Sequence, residues 1–185
     1  KPIQLPLLSR HLSIHNLPSN KTITFNDVNF HYGGSSSEKI LDSIRLEFPE
    51  GKVTAIVGSS GSGKTTLLRL LLKFYAPSKG EIRVGDSNLL NISSSFWRSK
   101  CGVVMQDGYI FSDSILNNIV ASDERIDKAK LMESTKIACI DSFIEQLPLG
   151  YSTKIGNEGV GLSQGQKQRI LLARAIYKNP EYLLL

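Results

Sequence analysis

Gly58-Ser59-Ser60-Gly61-Ser62-Gly63-Lys64-Thr65 is the stretch that decides the fold. It matches G-x-x-x-x-G-K-[ST], a loop whose glycines let backbone N–H groups turn inward and cradle phosphate oxygens. Before it stands Val53-Thr54-Ala55-Ile56-Val57, a β-branched run of the kind buried on both faces of a parallel sheet. After it a helix is expected to begin near Lys64 and to carry Leu67, Leu68, Leu70, Leu71 and Leu72. The helix N-terminus adds its positive dipole end to the loop. Lys64 would neutralise the β- and γ-phosphates of ATP, and the Thr65 hydroxyl would ligate Mg²⁺. Nucleotide contacts are therefore expected at Gly58, Ser59, Ser60, Gly61, Ser62, Gly63, Lys64, Thr65 and Thr66.

Upstream of the loop the pattern is that of an antiparallel sheet. Ile23 and Phe25 alternate, then Val28, Phe30 and Tyr32 alternate on the opposite parity. The slip at Asn26-Asp27 predicts a bulge or tight turn between two strand pieces. Gly33–Ser37 reads as a flexible turn, and Ile44, Leu46 and Phe48 form another strand closed by Pro49-Glu50-Gly51-Lys52. Residues 1–20 carry three prolines and little periodicity and read as a linker from something upstream. His11 and His15 have the i, i+4 spacing of a helical metal pair. However, Leu12 and Ile14 alternate with them and Pro18 follows, so the segment reads as extended.

Downstream, Ala76–Gly80 is a turn, Glu81–Val84 a strand, Ser93–Ser99 a short helix and Gly102–Met105 a buried strand. Ser112–Phe143 is helical, with breaks near Ala121-Ser122 and at Asp141. Pro148–Leu162 is a loop, and an amphipathic helix runs from Gln164 to about Lys178, stopped by Pro180. Tyr182–Leu185 reads as the start of a buried strand, and both ends read as cut from a longer chain.

The chain has 185 residues, 22 of them basic and 17 acidic, for a net charge of +5. That excess suits a polyanionic ligand or an anionic membrane surface, or is simply a mildly basic surface. No stretch approaches the roughly 18 uninterrupted apolar residues of a membrane span. No signal peptide is visible, because Pro2 follows Lys1 and no long apolar region comes after. No basic run with interleaved aromatics points to nucleic acid. Cys101 and Cys139 lie far apart without companion ligands or histidine partners, so both read as reduced core thiols and neither supports a protease.

A second motif narrows the reading. Leu162-Ser163-Gln164-Gly165-Gln166 opens the long helix and is followed by Lys167-Gln168-Arg169. Taken alone, Ser163 is an ordinary helix cap. Together with the phosphate loop, the chain resembles the nucleotide-binding domains of ABC transporters over roughly residues 21–185. Their signature is usually L-S-G-G-Q; here Gln164 stands at the third position.

The resemblance implies an α/β fold: a P-loop NTPase (RecA-like) core with an antiparallel β subdomain and an inserted α-helical subdomain of about residues 107–162. It implies ATP sandwiched between the loop of one domain and the signature of a second, in a head-to-tail dimer. It matches Tyr32 to the aromatic that stacks on adenine. It matches Gln106 to the glutamine that approaches Mg²⁺ and the attacking water. Gly156-Asn157-Glu158-Gly159 resembles the exporter loop that touches the transmembrane domain, with Glu158 the expected contact. The acidic pair that organises Mg²⁺ and activates water, and the switch His, would follow Leu185. Met105–Ile119 and Gly156–Ile170 look most like bacterial peptide or bacteriocin exporters, some with an N-terminal peptidase domain. The implied setting is the cytoplasmic face of a membrane, with the transmembrane domain in the same polypeptide. Two other readings share the phosphate loop: a soluble ABC ATPase of DNA repair or translation, and a nucleotide-binding module without turnover.

Overall fold

A computed structural model describes residues 14–33, 39–105, 108–121, 125–157 and 159–185. The chain forms two compact units, Lys1–Trp97 and Arg98–Leu185.

The first unit is built on an antiparallel sheet. Strands β1 (Ile23–Phe30), β2 (Leu41–Phe48), β3 (Lys79–Val84) and β4 (Ser87–Asn88) lie in the order β2-β1-β3-β4. Ile23, Phe25, Val28 and Phe30 of β1 are buried, so the apolar parity changes within the strand as the sequence predicts. The register shows why. Phe25 faces Leu46, and the next partners are Val28 and Ile44, so β1 holds one extra residue. Asp27 takes a positive φ of 49° in that bulge, and Arg45 donates two hydrogen bonds to its carboxylate, at 2.6 and 2.9 Å. Gly80 of β3 lies against it: a Cβ there would run into the carbonyl oxygens of Asn26 and Asp27, and its φ is 80°. Lys79 and Gly80, expected in a turn, are thus already in β3.

Helix α1 (Lys64–Leu71) buries Thr66, Leu67, Leu70 and Leu71. Its far end is held by Trp97, fully buried in α2 (Ser94–Ser99), whose indole N–H donates to the carbonyl of Leu71 at 2.7 Å. That bond anchors the C-terminal end of α1.

The second unit contains a parallel pair, β5 (Cys101–Val103) and β6 (Tyr182–Leu184). Its helices are α3 (Ile115–Val120), α4 (Lys128–Ile137), α5 (Asp141–Glu145) and α6 (Gln164–Tyr177). They share a core in which Ile115, Ile119, Ile140, Ile155, Ile170 and Tyr177 are buried. Each such side chain contributes roughly 1.5–3 kcal/mol by leaving water. The expected breaks in the helical stretch fall at Ala121, with φ 56°, and at Cys139, with φ 54°, two residues before Asp141. Within Pro148–Leu162 a 3-10 turn occupies Gly150–Ser152. Helix α6 runs to Tyr177, and Asn179, in the left-handed region at φ 51°, ends it ahead of Pro180.

Three expectations are corrected. Val53–Val57 is neither a strand nor buried; Val53 and Val57 are 102% and 89% exposed. The described strands ladder only with one another, and an apolar run without a ladder gains neither backbone bonds nor cover. The end of the chain does form a strand, but Leu185 is 73% exposed, and among the described residues β6 pairs only with β5. Cys101 is buried as expected, whereas Cys139 sits in a left-handed turn and is exposed. His11 lies outside the described residues. His15 packs edge-on against Phe96, with centroids 6.2 Å apart. Among the described residues no helix is long and apolar enough to cross a membrane, and no cluster of three metal-ligating side chains occurs.

Candidate functional site

Gly58–Gly63 carries no regular secondary structure and delivers the chain to Lys64, the first residue of α1. Gly63 is the helix cap at φ 88°, and a Cβ there would meet Leu41 Cδ2 at 2.7 Å and the Ile40 carbonyl at 3.3 Å. Only glycine fits that cap, both for space and for conformation. The Lys64 ammonium folds back over the loop, donating to the carbonyls of Gly58 at 2.8 Å and Ser59 at 2.7 Å and to Ser62 Oγ at 3.3 Å. The cation therefore sits over the turn that the glycines shape. No acidic residue stands in the first turn of α1, so nothing opposes an anion at that end. Ser59, Ser60, Gly61 and Thr65 are exposed.

Tyr32 is placed by the same unit. Its hydroxyl shares a hydrogen bond of 3.2 Å with Thr66 Oγ1 and accepts another of 3.2 Å from Arg69 Nη1, both on α1. Its ring packs edge-to-face with Phe30 at 4.9 Å and with Tyr75 at 5.2 Å. Burial pushes the phenol pKa up, but the hydrogen bonds from Thr66 and Arg69 and the guanidinium charge outweigh it and leave the phenol below its ordinary value. The structure thus joins Tyr32 to the helix that opens at Lys64 and Thr65.

The signature residues lie at the start of α6. Ser163 caps the helix: its Oγ accepts from the Gln166 N–H at 3.2 Å, and Gln166 Oε1 accepts from the Ser163 N–H at 2.8 Å. This reciprocal box satisfies two N–H groups at once. Gln164 and Gly165 are exposed, and a Cβ on Gly165 would meet nothing within 4 Å. Leu162 is half-buried against the helical core. As with α1, the first turn has no acidic residue.

Gln106 and Glu158 lie outside the described residues. Residues on either side of Glu158 are tied by backbone bonds. Val160 N–H donates to the Lys154 carbonyl at 2.9 Å, and Ile155 N–H to the Asp113 carbonyl at 2.9 Å.

Sequence reading missed two elements of the framework. One is Arg69, described above. The other is Arg174 of α6, whose guanidinium donates to the Asn118 carbonyl at 2.6 Å, the Tyr109 carbonyl at 2.9 Å and Asn118 Oδ1 at 3.0 Å. It also lies over the Phe111 ring, 5.0 Å from its centroid. Burial lowers its pKa, but a guanidinium begins so high that it stays charged. Fully buried Asn118 completes the clamp by accepting from Phe111 N–H at 2.8 Å and donating to the carbonyls of Phe111 and Ser114, each at 3.0 Å. A signal existed: Arg174 falls four residues after Ile170 and three before Tyr177, on the apolar face of its helix.

Comparison with known proteins agrees with this geometry. A family model described as ABC transporter matches residues 41–185. The chain is 42% identical over 163 residues to ABC transporter B family member 17 of Arabidopsis thaliana, covering 88% of this chain and 13% of that protein. It is 39% identical over 167 residues to the mitochondrial iron-sulfur clusters transporter ABCB7 of Homo sapiens, covering 90% of this chain and 22% of that protein. It is 39% identical over 165 residues to the alpha-hemolysin translocation ATP-binding protein HlyB of Escherichia coli O6:H1, covering 89% and 23%. A bacterial Atm1-family ABC exporter solved with ATP bound superposes with a TM-score of 0.83 at 36% identity, covering 92% of this chain and 30% of that one. The chain thus spans less than a quarter of the length of these curated relatives.

Proposed function

The chain belongs to the ABC transporter family, and on that premise we propose that it is the ATP-binding and ATP-hydrolysing domain that powers an exporter. The observation that carries this reading is the turn from Gly58 to Thr65, with Lys64 folded over it and the uncontested N-terminus of α1 behind it. Residues 1–20 act as a linker from a transmembrane domain of the same polypeptide, and residues 21–185 form the ATP-binding domain. Helices α3, α4 and α5 support a helical subdomain at about 107–162.

The triphosphate binds at Gly58–Thr66, where loop N–H groups and Lys64 neutralise the β- and γ-phosphates. The exposed Thr65 hydroxyl offers a neutral oxygen that a hard cation can take once phosphate oxygens supply the negative charge; Thr65 and Gln106 would hold Mg²⁺, which would add charge neutralisation at the phosphates. Tyr32 stacks on the adenine. Ser163 uses a lone pair to cap its own helix and so keeps its O–H proton to donate to a phosphate. Leu162–Gln166 serves the ATP of a second domain, and water attacks the γ-phosphate in line once two domains close. Glu158 contacts the transmembrane domain, which places this domain on the cytoplasmic face of the membrane.

For cargo, we favour peptides in a bacterial membrane, a reading supported by the likeness of Met105–Ile119 and Gly156–Ile170 to peptide exporters and by the relative named for alpha-hemolysin translocation. A relative of similar identity is named for iron-sulfur clusters, so likeness in this domain does not by itself select peptides.

The test uses the parent protein in lipid vesicles. Mg-ATP is expected to be hydrolysed and to drive uptake of a labelled peptide into inside-out vesicles. Absence of ATP binding by calorimetry would overturn the motor reading; ATP turnover without peptide uptake would overturn only the cargo.

A further inference from the structure

The Tyr32 hydroxyl is tied down from two sides. Thr66 Oγ1 and Arg69 Nη1 both reach it at 3.2 Å. Thr66 and Arg69 lie three residues apart and so share one face of α1. Thr66 directly follows Thr65, at the phosphate end of that helix. On the ring side, Phe30 and Tyr75 pack edge-to-face at interplanar angles of 87° and 85°, and Phe30 is buried. A flat ring is thereby fixed at both ends: the hydroxyl by α1, the phenyl by two neighbouring rings.

We infer that Arg69 is a positioning residue of the nucleotide site, which holds Tyr32 through its hydroxyl so that the base platform is fixed to the helix that binds the phosphates. This rests on the proposed stacking of Tyr32 on adenine. Its physical content is preorganisation. A free tyrosine would lose rotational freedom when the base arrives, whereas one already held loses none, and the difference appears as affinity. Arg69 itself is exposed on α1 and needs no direct contact with the nucleotide to act. The same bonds lower the phenol pKa, which supplies an independent signature of the contact. Arg69 donates while the phenol oxygen accepts, so a lysine can replace part of the interaction and methionine none of it.

The experiment measures binding of Mg-ATP and of inorganic tripolyphosphate to the full chain by calorimetry. The variants are Arg69→Met, Arg69→Lys, Tyr32→Phe, Tyr32→Ala and the double variant Arg69→Met/Tyr32→Phe. Arg69→Met is expected to weaken ATP binding roughly three- to tenfold, the effect of one hydrogen bond, and to leave tripolyphosphate binding unchanged. Arg69→Lys should recover most of the loss. Tyr32→Phe, which removes the Thr66 bond as well, should lose at least as much as Arg69→Met, and the double variant should be no weaker than Tyr32→Phe, because Arg69 then has no hydroxyl left to hold. In ultraviolet titration, Arg69→Met should raise the midpoint of one tyrosine. Equal losses for ATP and tripolyphosphate in Arg69→Met would overturn the inference, since the arginine would then act on the phosphate site or the fold. A clear loss in Tyr32→Ala with none in Arg69→Met would overturn it while leaving the stacking reading intact. No loss in Tyr32→Ala would remove the stacking reading and this inference with it.

Discussion

Gln166 reaches back to the backbone N–H of Ser163 at 2.8 Å, and the Ser163 hydroxyl accepts from the backbone of Gln166 at 3.2 Å. Two residues of the signature thus hold each other before any nucleotide arrives. Ser163→Ala removes the cap and is expected to cost about 1 kcal/mol of stability in urea denaturation. Gln166→Glu keeps the box, because a carboxylate accepts as well as an amide oxygen. Its unfolding midpoint should stay near that of the parent, while ATP turnover should fall, since a negative charge then stands beside the end of α6 that is proposed to face the phosphates. Normal turnover in Gln166→Glu would place the triphosphate elsewhere.

Gly165 separates folding from function. Space around it is open among the described residues, so Gly165→Leu should fold and bind its own ATP at the phosphate loop with unchanged affinity. The side chain would obstruct only a second domain approaching with its nucleotide. Turnover and ATP-dependent dimerisation, followed by light scattering, should both be lost. A Gly165→Leu protein that dimerises on ATP and hydrolyses it at the parent rate would show that this end of α6 meets no partner.

Lys64→Ala should weaken binding more than any change at Tyr32. The ammonium both supplies charge and ties down the carbonyls of Gly58 and Ser59. Losing a charge-assisted contact of about 1.5–3 kcal/mol predicts a fall in affinity of roughly tenfold to a hundredfold or more, for tripolyphosphate as for ATP. Calorimetry that finds parent affinity for tripolyphosphate would remove Lys64 from the phosphate site.

The parts of this molecule that were legible from sequence are those governed by neighbouring residues. Glycine spacing and the Lys64-Thr65 pair announced the loop, the parity slip at Asn26-Asp27 announced the bulge of β1, and Ser163 with Gln166 announced the start of α6. Val53–Val57 misled because a β-branched run states a preference for burial without stating what covers it, and no described strand ladders with it. Cys139 misled for a related reason. Its composition suits a core, but it occupies the left-handed turn between α4 and α5, where the side chain is carried outward. The bonds of Arg69 to Tyr32 and of Arg174 to Tyr109 span 37 and 65 residues, a range at which no local pattern operates.

Arg174 predicts a large effect on stability. Arg174→Ala would strip partners from the carbonyls of Tyr109 and Asn118 and from Asn118 Oδ1, inside a partly buried site. A loss of about 2–3 kcal/mol is expected by urea denaturation. Arg174→Lys should recover little, because one ammonium cannot match a planar fork that reaches two carbonyls and lies on Phe111. Full rescue by lysine would mean that charge alone, rather than fork geometry, holds the loop at Tyr109–Phe111.

The two cysteines make opposite predictions about pH and reactivity. Burial pushes the Cys101 thiol from an ordinary value near 9 up to about 12, because a thiolate there would lie unsolvated. In the native state Cys101 should therefore resist a thiol reagent at pH 8, while exposed Cys139 reacts at once. One fast-reacting thiol per chain is expected, and two in denaturant. The sign of the stability effect follows from the same shift. The folded chain holds the Cys101 proton more tightly than the unfolded chain, so the contribution is whole below about pH 9 and is lost as pH rises toward 12. Cys101→Ala removes the titrating group. Its unfolding free energy should fall less steeply than the parent's between those two pH values, whatever its value at neutral pH. Parallel curves for the two proteins, or two fast-reacting thiols in the native chain, would show that Cys101 is not buried as described.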